Sequence, residues 1–214
     1  MLTKPLKVGF SSSNNHKFKE TQACILTIYP HAKVLQITPQ EEVEETGSSF
    51  KENANIKLQA ALQSVSTETL AQLDYVMAED AGFVVVALNG TYGISPFPGI
   101  YSSRWLTETR CQEILGSATS PLSQMNQAGF ERINASILKL MQNQTNRKAS
   151  YVSVFAVWAQ KTQQTSFYEG QMLLEVGQES ILGEGFGYDP IVKPLGENQL
   201  ISQLPPEVKN SMSH

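Results

Sequence analysis

Cysteine is scarce in this chain. There are two, Cys24 and Cys111, and neither falls in a C-x-x-C pair. That argues against a cysteine-ligated metal cluster and makes a reducing, cytoplasmic setting the expectation. A positive charge excess is also missing. Sixteen Lys and Arg stand against twenty Asp and Glu, for a net charge of −4. Such a surface offers duplex nucleic acid no basic footprint, so a polyanion would need locally placed lysines or a metal. No run approaches the roughly 20 apolar residues of a membrane span, and the start, MLTKPLKVGFSSS, lacks the long apolar stretch of a signal peptide. No internal repeat and no long linker interrupts the chain. What remains is 41% apolar and 17% charged, a globular balance rather than a disordered one. At 214 residues a chain buries roughly 70% of its unfolded surface, enough for a sizeable core.

Periodicity predicts helix and strand alternating early and hairpins later. LKVGFS (6–11) reads as a strand, and SSNNHKFKE opens a helix whose apolar residues recur to Tyr29 before Pro30 stops it. VLQI (34–37) is a second strand. Ser49 and Glu52 have capping-box spacing, and Ala54, Leu58, Ala61, Leu62 and Val65 form the apolar stripe of the helix they open. YVMAED (75–80) reads as a strand ending in two acids. FVVVAL (83–88) follows, with Asn89-Gly90 as a hairpin turn. From 107 to 130 the pattern is weak. Ile133 to Met141 predicts a short helix, YVSVFAVWA (151–159) a strong strand, and SFYEG (166–170) its hairpin partner. The stretch from 177 to 214 reads as loop with one short strand, IVK. Together these elements predict an α/β fold, a mixed sheet with helices packed on it.

Five short stretches carry candidate chemistry. SSSNNHK (11–17) lies between a strand and a helix, where free N–H groups suit phosphate and Ser12, Asn14 and Lys17 could add donors and a cation. The same residues are ordinary helix caps, and Walker spacing is missing. EETG (44–47) precedes Lys57, which lies beside the apolar stripe. A lysine there either snorkels or points at an anion at the sheet edge. Glu79-Asp80, at an expected strand end, could hold Mg²⁺ or take a proton from water, or simply terminate the strand. GEGFGYDP (183–190) offers Phe186 and Tyr188 as flat faces for a base and Asp189 as an acceptor from ring N–H groups, unless it is only a glycine-rich turn. Last is KNSMSH (209–214), a tail or a binding segment.

Taken in order, S-x-N-x-x-K (12–17), E-T-G-x-S-F-x-E-N-A-x-I-K (45–57), E-D-A-G (79–82), P-G-I-Y-S-S-R (98–104), G-F-G-Y-D-P (185–190) and K-N-x-x-S-H (209–214) resemble the inosine triphosphate pyrophosphatase family. Its members hydrolyse non-standard purine nucleoside triphosphates. The resemblance runs from Val8 to His214. It implies an elongated mixed sheet in two lobes with flanking helices and a central nucleotide cleft, in a single domain over 1–214 that assembles as a homodimer. It implies that Ser12, Ser13, Asn14 and Lys17 hold the triphosphate, with Ala81 nearby. Glu45 and Asp80 would bind Mg²⁺. Asp80 would also act as general base on the attacking water, and Lys57 would stabilise charge at the phosphates. Phe186, with Gly187 and Tyr188 beside it, would stack on the base, while Asp189, Lys209 and His214 read its edge. The reaction implied is NTP plus water giving NMP and pyrophosphate. A pocket donating to a 6-oxo group leaves donors unpaired with adenine, which selects ITP, dITP and XTP over ATP.

The chain departs from the pattern in four places. The family continues S-H-R into a closing helix, whereas this sequence ends at His214. Ala81 stands where serine is usual, Leu174 stands where glycine is expected, and TYGISPF (91–97) resembles an insertion. An altered base preference is therefore expected. The competing readings are a family member that binds nucleotide without turnover, and a pyrophosphatase for modified pyrimidine nucleotides.

Overall fold

The chain divides into two compact units, Met1–Ala81 with Ser153–Glu169, and Gly82–Val152 with Gly170–His214. The structure, a computed structural model, describes residues 4–39, 43–116, 127–183 and 185–205, together with Val208 and Met212.

In the first unit, β1 (Lys7–Ser11) leads to α1 (Asn15–Ile28) and β2 (Lys33–Ile37). Then come α2 (Phe50–Ser64), the short α3 (Thr67–Leu70) and β3 (Tyr75–Val85), which runs on into the second unit. β1 pairs in parallel with β2 on one side and β3 on the other. Four of its five residues are buried, as expected of a strand covered on both faces. The connection through α1 runs from β1 to β2, and the one through α2 returns from β2 past β1 to β3, so the two move in opposite directions across the sheet. Right-handed crossovers then put the two helices on opposite faces, and alternating side chains of β3 agree. Glu79 meets Lys17 of α1, and its neighbour Asp80 meets Lys57 of α2.

α2 forms where its cap and stripe predict. Ser49 Oγ accepts from Glu52 N–H at 3.2 Å, and Phe50, Ala54, Leu58 and Ala61 are buried along one face. The return half of the capping box is displaced by one residue, since the Glu52 carboxylate takes Ser48 N–H and Ser48 Oγ–H instead. Asn53, also fully buried, lies among the apolar residues.

The expected strand end at Asp80 is a correction. β3 continues through Ala81 and Gly82 to Val85, because β4 (Pro98–Gly99) pairs with it antiparallel, Phe83 opposite Gly99 and Val84 opposite Pro98. Asn89-Gly90 is not a two-residue hairpin turn. Gly90 has φ of +86°, and a 3-10 turn at Thr91–Gly93 follows. Asn89 Oδ1 takes Phe97 N–H, and Phe97, at the end of the segment read as an insertion, is fully buried.

The second unit adds α4 (Glu108–Leu115), where the sequence pattern was weak, and α5 (Gln127–Leu140), which starts before the expected Ile133. β5 (Lys148–Ala159) and β6 (Gln164–Val176) are each longer than predicted, and β7 (Val192–Pro194) is the short strand expected around IVK. The seven strands form one mixed sheet, ordered β2-β1-β3-β5-β6-β7, with β4 on β3. The second unit's core gathers Phe83, Phe97, Trp105, Ile133, Ile137 and Ile191. No described helix is long and apolar enough to cross a membrane.

Candidate active site

β1 ends beside β3, with Ser11 opposite Ala78. Glu79 and Asp80 are therefore the first residues of β3 beyond the carboxyl end of β1. The strand order 2-1-3, with the chain moving one way from β1 to β2 and back the other way to β3, makes this a topological switch point, where parallel sheets leave room for a ligand.

Ser12 and Asn14 follow β1 and cap α1. Ser12 Oγ accepts from Asn14 N–H at 3.1 Å, and Asn14 Oδ1 accepts from Lys17 N–H at 3.2 Å. Ser13 is exposed between them. Gln36 Nε2 on β2 donates to Ser12 O and Asn15 Oδ1, which ties the turn to the sheet. Lys17 Nζ reaches Glu79 Oε2 at 3.2 Å, and Ser153 Oγ on β5 donates to the other oxygen at 2.6 Å. Sequence reasoning singled out the Glu79-Asp80 pair but gave Glu79 no role. Nothing in the sequence pointed to Ser153.

On the opposite face, Lys57 Nζ lies 2.6 Å from Glu45 Oε1 and 2.6 Å from Asp80 Oδ1. Lys57 therefore does not snorkel. It is clamped between two carboxylates. The Asp80 side chain is 7% exposed, and its second oxygen, Oδ2, is buried without a hydrogen-bond partner. Leaving a buried charged acceptor unmatched costs more than the roughly 1–3 kcal/mol of a neutral group. Burial pushes the Asp80 carboxyl above its ordinary value, the Lys57 ammonium pulls it back, and the Glu45 charge adds to the rise. Burial also works against the Lys57 charge, but Asp80 and then Glu45 outweigh it, so that group is held above its ordinary value. The cluster carries one ammonium and two carboxylate positions, and one oxygen, Asp80 Oδ2, is left without a hydrogen bond.

That donor set fits Mg²⁺. Hard carboxylate oxygens are its ligands, and it commonly takes one or two of them and fills the rest with water and phosphate oxygens. Glu45 and Asp80 would supply the two, and Asp80 Oδ2 is an unpartnered oxygen that such an ion could satisfy. Among the described residues no larger group of His, Cys, Asp and Glu competes for a metal.

The second unit holds the GFGYDP loop. Gly187, with φ of +65°, turns the chain, and its carbonyl accepts from Asn134 Nδ2 of α5 at 2.9 Å. Phe186 is 62% exposed. Tyr188, expected to offer a second flat face, is instead buried. Its ring stacks on Phe83 at 4.2 Å between centroids, and Phe130 meets it edge-on. Asp189 is buried too. One oxygen accepts from Phe186 N–H at 3.2 Å, and the other from Tyr151 OH at 2.9 Å. Burial pushes the Tyr151 phenol well above its ordinary value, and the Asp189 charge adds to this, so the phenol stays a donor. Sequence reasoning missed Tyr151, which lies far from the loop along the chain. Tyr151→Phe is expected to cost about 1–3 kcal/mol, read as a lowered urea midpoint. An unchanged midpoint would show that the hydroxyl does not hold the loop. Lys209 and His214 lie outside the described residues.

Comparison with known proteins gives one consistent result. The model of the Ham1 family matches residues 8–214. The dITP/XTP pyrophosphatase of Aquifex aeolicus is 32% identical over 209 residues, 98% of this chain and 91% of that protein. The one from Staphylococcus aureus strain MW2 is 29% identical, covering 97% of this chain and 90% of that protein. Among solved structures, the Staphylococcus aureus Ham1 protein aligns with a TM-score of 0.70 at 28% identity, over 97% of this chain and 91% of that one. A nucleoside-triphosphatase, or dITP/XTP pyrophosphatase, from Mycobacterium abscessus aligns with a TM-score of 0.65 at 25% identity, over 96% and 93%.

Proposed function

The chain belongs to the Ham1 family, and from that premise we propose that it hydrolyses non-standard purine nucleoside triphosphates, dITP, XTP and ITP, to the monophosphate and pyrophosphate. The observation that carries this is Lys57 held at 2.6 Å from both Glu45 and Asp80, beside the open Asp80 Oδ2. It is a charge arrangement suited to a metal-bound polyphosphate and expensive for a merely structural site.

In the first unit, Ser12, Ser13, Asn14 and Lys17 surround the start of α1, where the positive end of the helix dipole favours an anion. Lys17 is close enough to Glu79 to be held in place and, at 39% side-chain exposure, remains reachable by a phosphate. Glu45 and Asp80 would hold Mg²⁺, which when bound would neutralise phosphate charge and orient the chain of phosphates. The Asp80 carboxylate would accept the proton of the attacking water. The water oxygen forms a bond to the α-phosphorus. The bond from that phosphorus to the bridging oxygen breaks, and its electron pair leaves with pyrophosphate. Lys57 places a fixed positive charge beside the reacting phosphate, which needs no reorganisation during the step. In the second unit, Phe186 offers its exposed ring to the base, with its backbone set by Asp189.

The deciding experiment is pyrophosphate release with Mg²⁺ from ITP, XTP, dITP, GTP and ATP side by side. Fast release from the first three and little from ATP is expected. ITP bound without release from any nucleotide would instead identify a binder that does not turn over. Preference for modified pyrimidine nucleotides would identify a different enzyme of similar fold.

A further inference from the structure

Asn53 is the one polar residue among the buried residues of α2, and it is fully buried. A buried amide that served packing alone would have both ends satisfied. Asn53 has one. Its Oδ1 accepts from Gly47 N–H at 2.9 Å, while its Nδ2 is buried with no acceptor in hydrogen-bond geometry. Gly47 lies two residues after Glu45, in the loop that delivers that carboxylate. The contact also explains the glycine. A Cβ at position 47 would stand 2.6 Å from Asn53 Oδ1 and 2.7 Å from Glu52 Cβ, so only glycine lets the loop come this close. Asn53 precedes Lys57 by four residues and so lies one turn away on the same helix face. That face meets Asp80, whose Oδ2 is the other buried polar atom here without a partner. The Asn53 side chain also faces Asp80, as a donor toward its carboxylate that falls short of hydrogen-bond geometry.

We infer that Asn53 is a positioning residue that sets the spacing of Glu45 and Asp80 for a divalent cation: it pins the Glu45 loop to α2 through Gly47 and borders Asp80 with its remaining donor. This deepens the proposed function and rests on it for the identity of the cation. Position, not bulk, is what the residue supplies, because its two ends face two different ligand-bearing segments, the 45–47 loop and β3.

The test is Mn²⁺ binding by the protein without nucleotide, followed by electron paramagnetic resonance, with Asn53→Ala and Gly47→Ala compared with the parent. The two variants break the same contact from opposite sides, so if one fails to fold the other still decides. Each is expected to weaken Mn²⁺ binding about tenfold and to raise the Mg²⁺ concentration for half-maximal pyrophosphate release, with a smaller change in the rate at saturating Mg²⁺. A residue that merely packs would lower the melting temperature and leave Mn²⁺ affinity alone. Parent-like Mn²⁺ affinity in a folded variant overturns the inference, as does a parent that binds no Mn²⁺. Failure of the proposed function looks different: the parent binds Mn²⁺, the variants bind it less well, and no nucleotide is hydrolysed.

Discussion

Asp80→Asn is expected to lower pyrophosphate release by about a thousandfold, within the roughly 10²–10⁴ that a positioned general base supplies. The substitution keeps the shape of the side chain and an oxygen near Lys57. It removes the charge and the ability to take a proton. Stability should move the other way. Burial raises the Asp80 carboxyl above its ordinary value even with Lys57 at 2.6 Å. A carboxyl whose folded value exceeds its unfolded one costs stability at neutral pH, and that cost fades as the pH falls through the folded value. Asparagine has no such cost, so the variant should melt no lower than the parent at pH 7. Lost turnover with retained or raised melting temperature is the signature of a residue kept for chemistry against the interest of the fold. A near-parental rate would remove Asp80 from the base role.

What could be read from the sequence follows from how local each signal is. α2 was legible in its cap and its stripe, since Ser49, Ala54, Leu58 and Ala61 act through neighbours three and four residues away. The α1 turn was legible for the same reason. β3 was not. Its continuation past Asp80 depends on pairing of Phe83 and Val84 with residues near 98 and 99, and no local pattern reports that. Tyr188 was misjudged for a related reason. An aromatic in a glycine-rich loop reads as a free face, but Phe83 and Phe130 converge on it from distant segments. At the candidate site, Lys57 beside the stripe left two options open, snorkelling or pointing at an anion. Only the folded chain brings Glu45 and Asp80 to it. Asn53 sat within a motif that was quoted in full, yet its position on the apolar face passed as part of the helix. An asparagine four residues before an inward lysine, on a buried stripe, is the signal that could have marked it.

The second large effect is expected of Lys57→Met, which removes the ammonium with little change in length. Taking away a preorganised charge at a reacting centre costs about 10²–10³ in rate, so turnover should fall by that factor while nucleotide still binds. The cluster left behind has Glu45 and Asp80 on either side of a neutral side chain. Removing one partner of a buried ion pair destabilises by roughly 3–5 kcal/mol. Lys57 and Glu45 are 23% and 25% exposed, so solvent screens part of this and the loss should fall below that range. A divalent cation can restore the missing positive charge. Without nucleotide, Lys57→Met should therefore bind Mn²⁺ more tightly than the parent and regain melting temperature as Mg²⁺ is added. That pattern separates two roles for the lysine. If Lys57 only propped the carboxylates apart, metal affinity would fall together with activity. If it is a charge held for the phosphates, metal affinity rises while activity falls. A variant that turns over at the parent's rate would show that the 2.6 Å clamp on both carboxylates is structural, and the phosphate-stabilising charge would have to come from elsewhere.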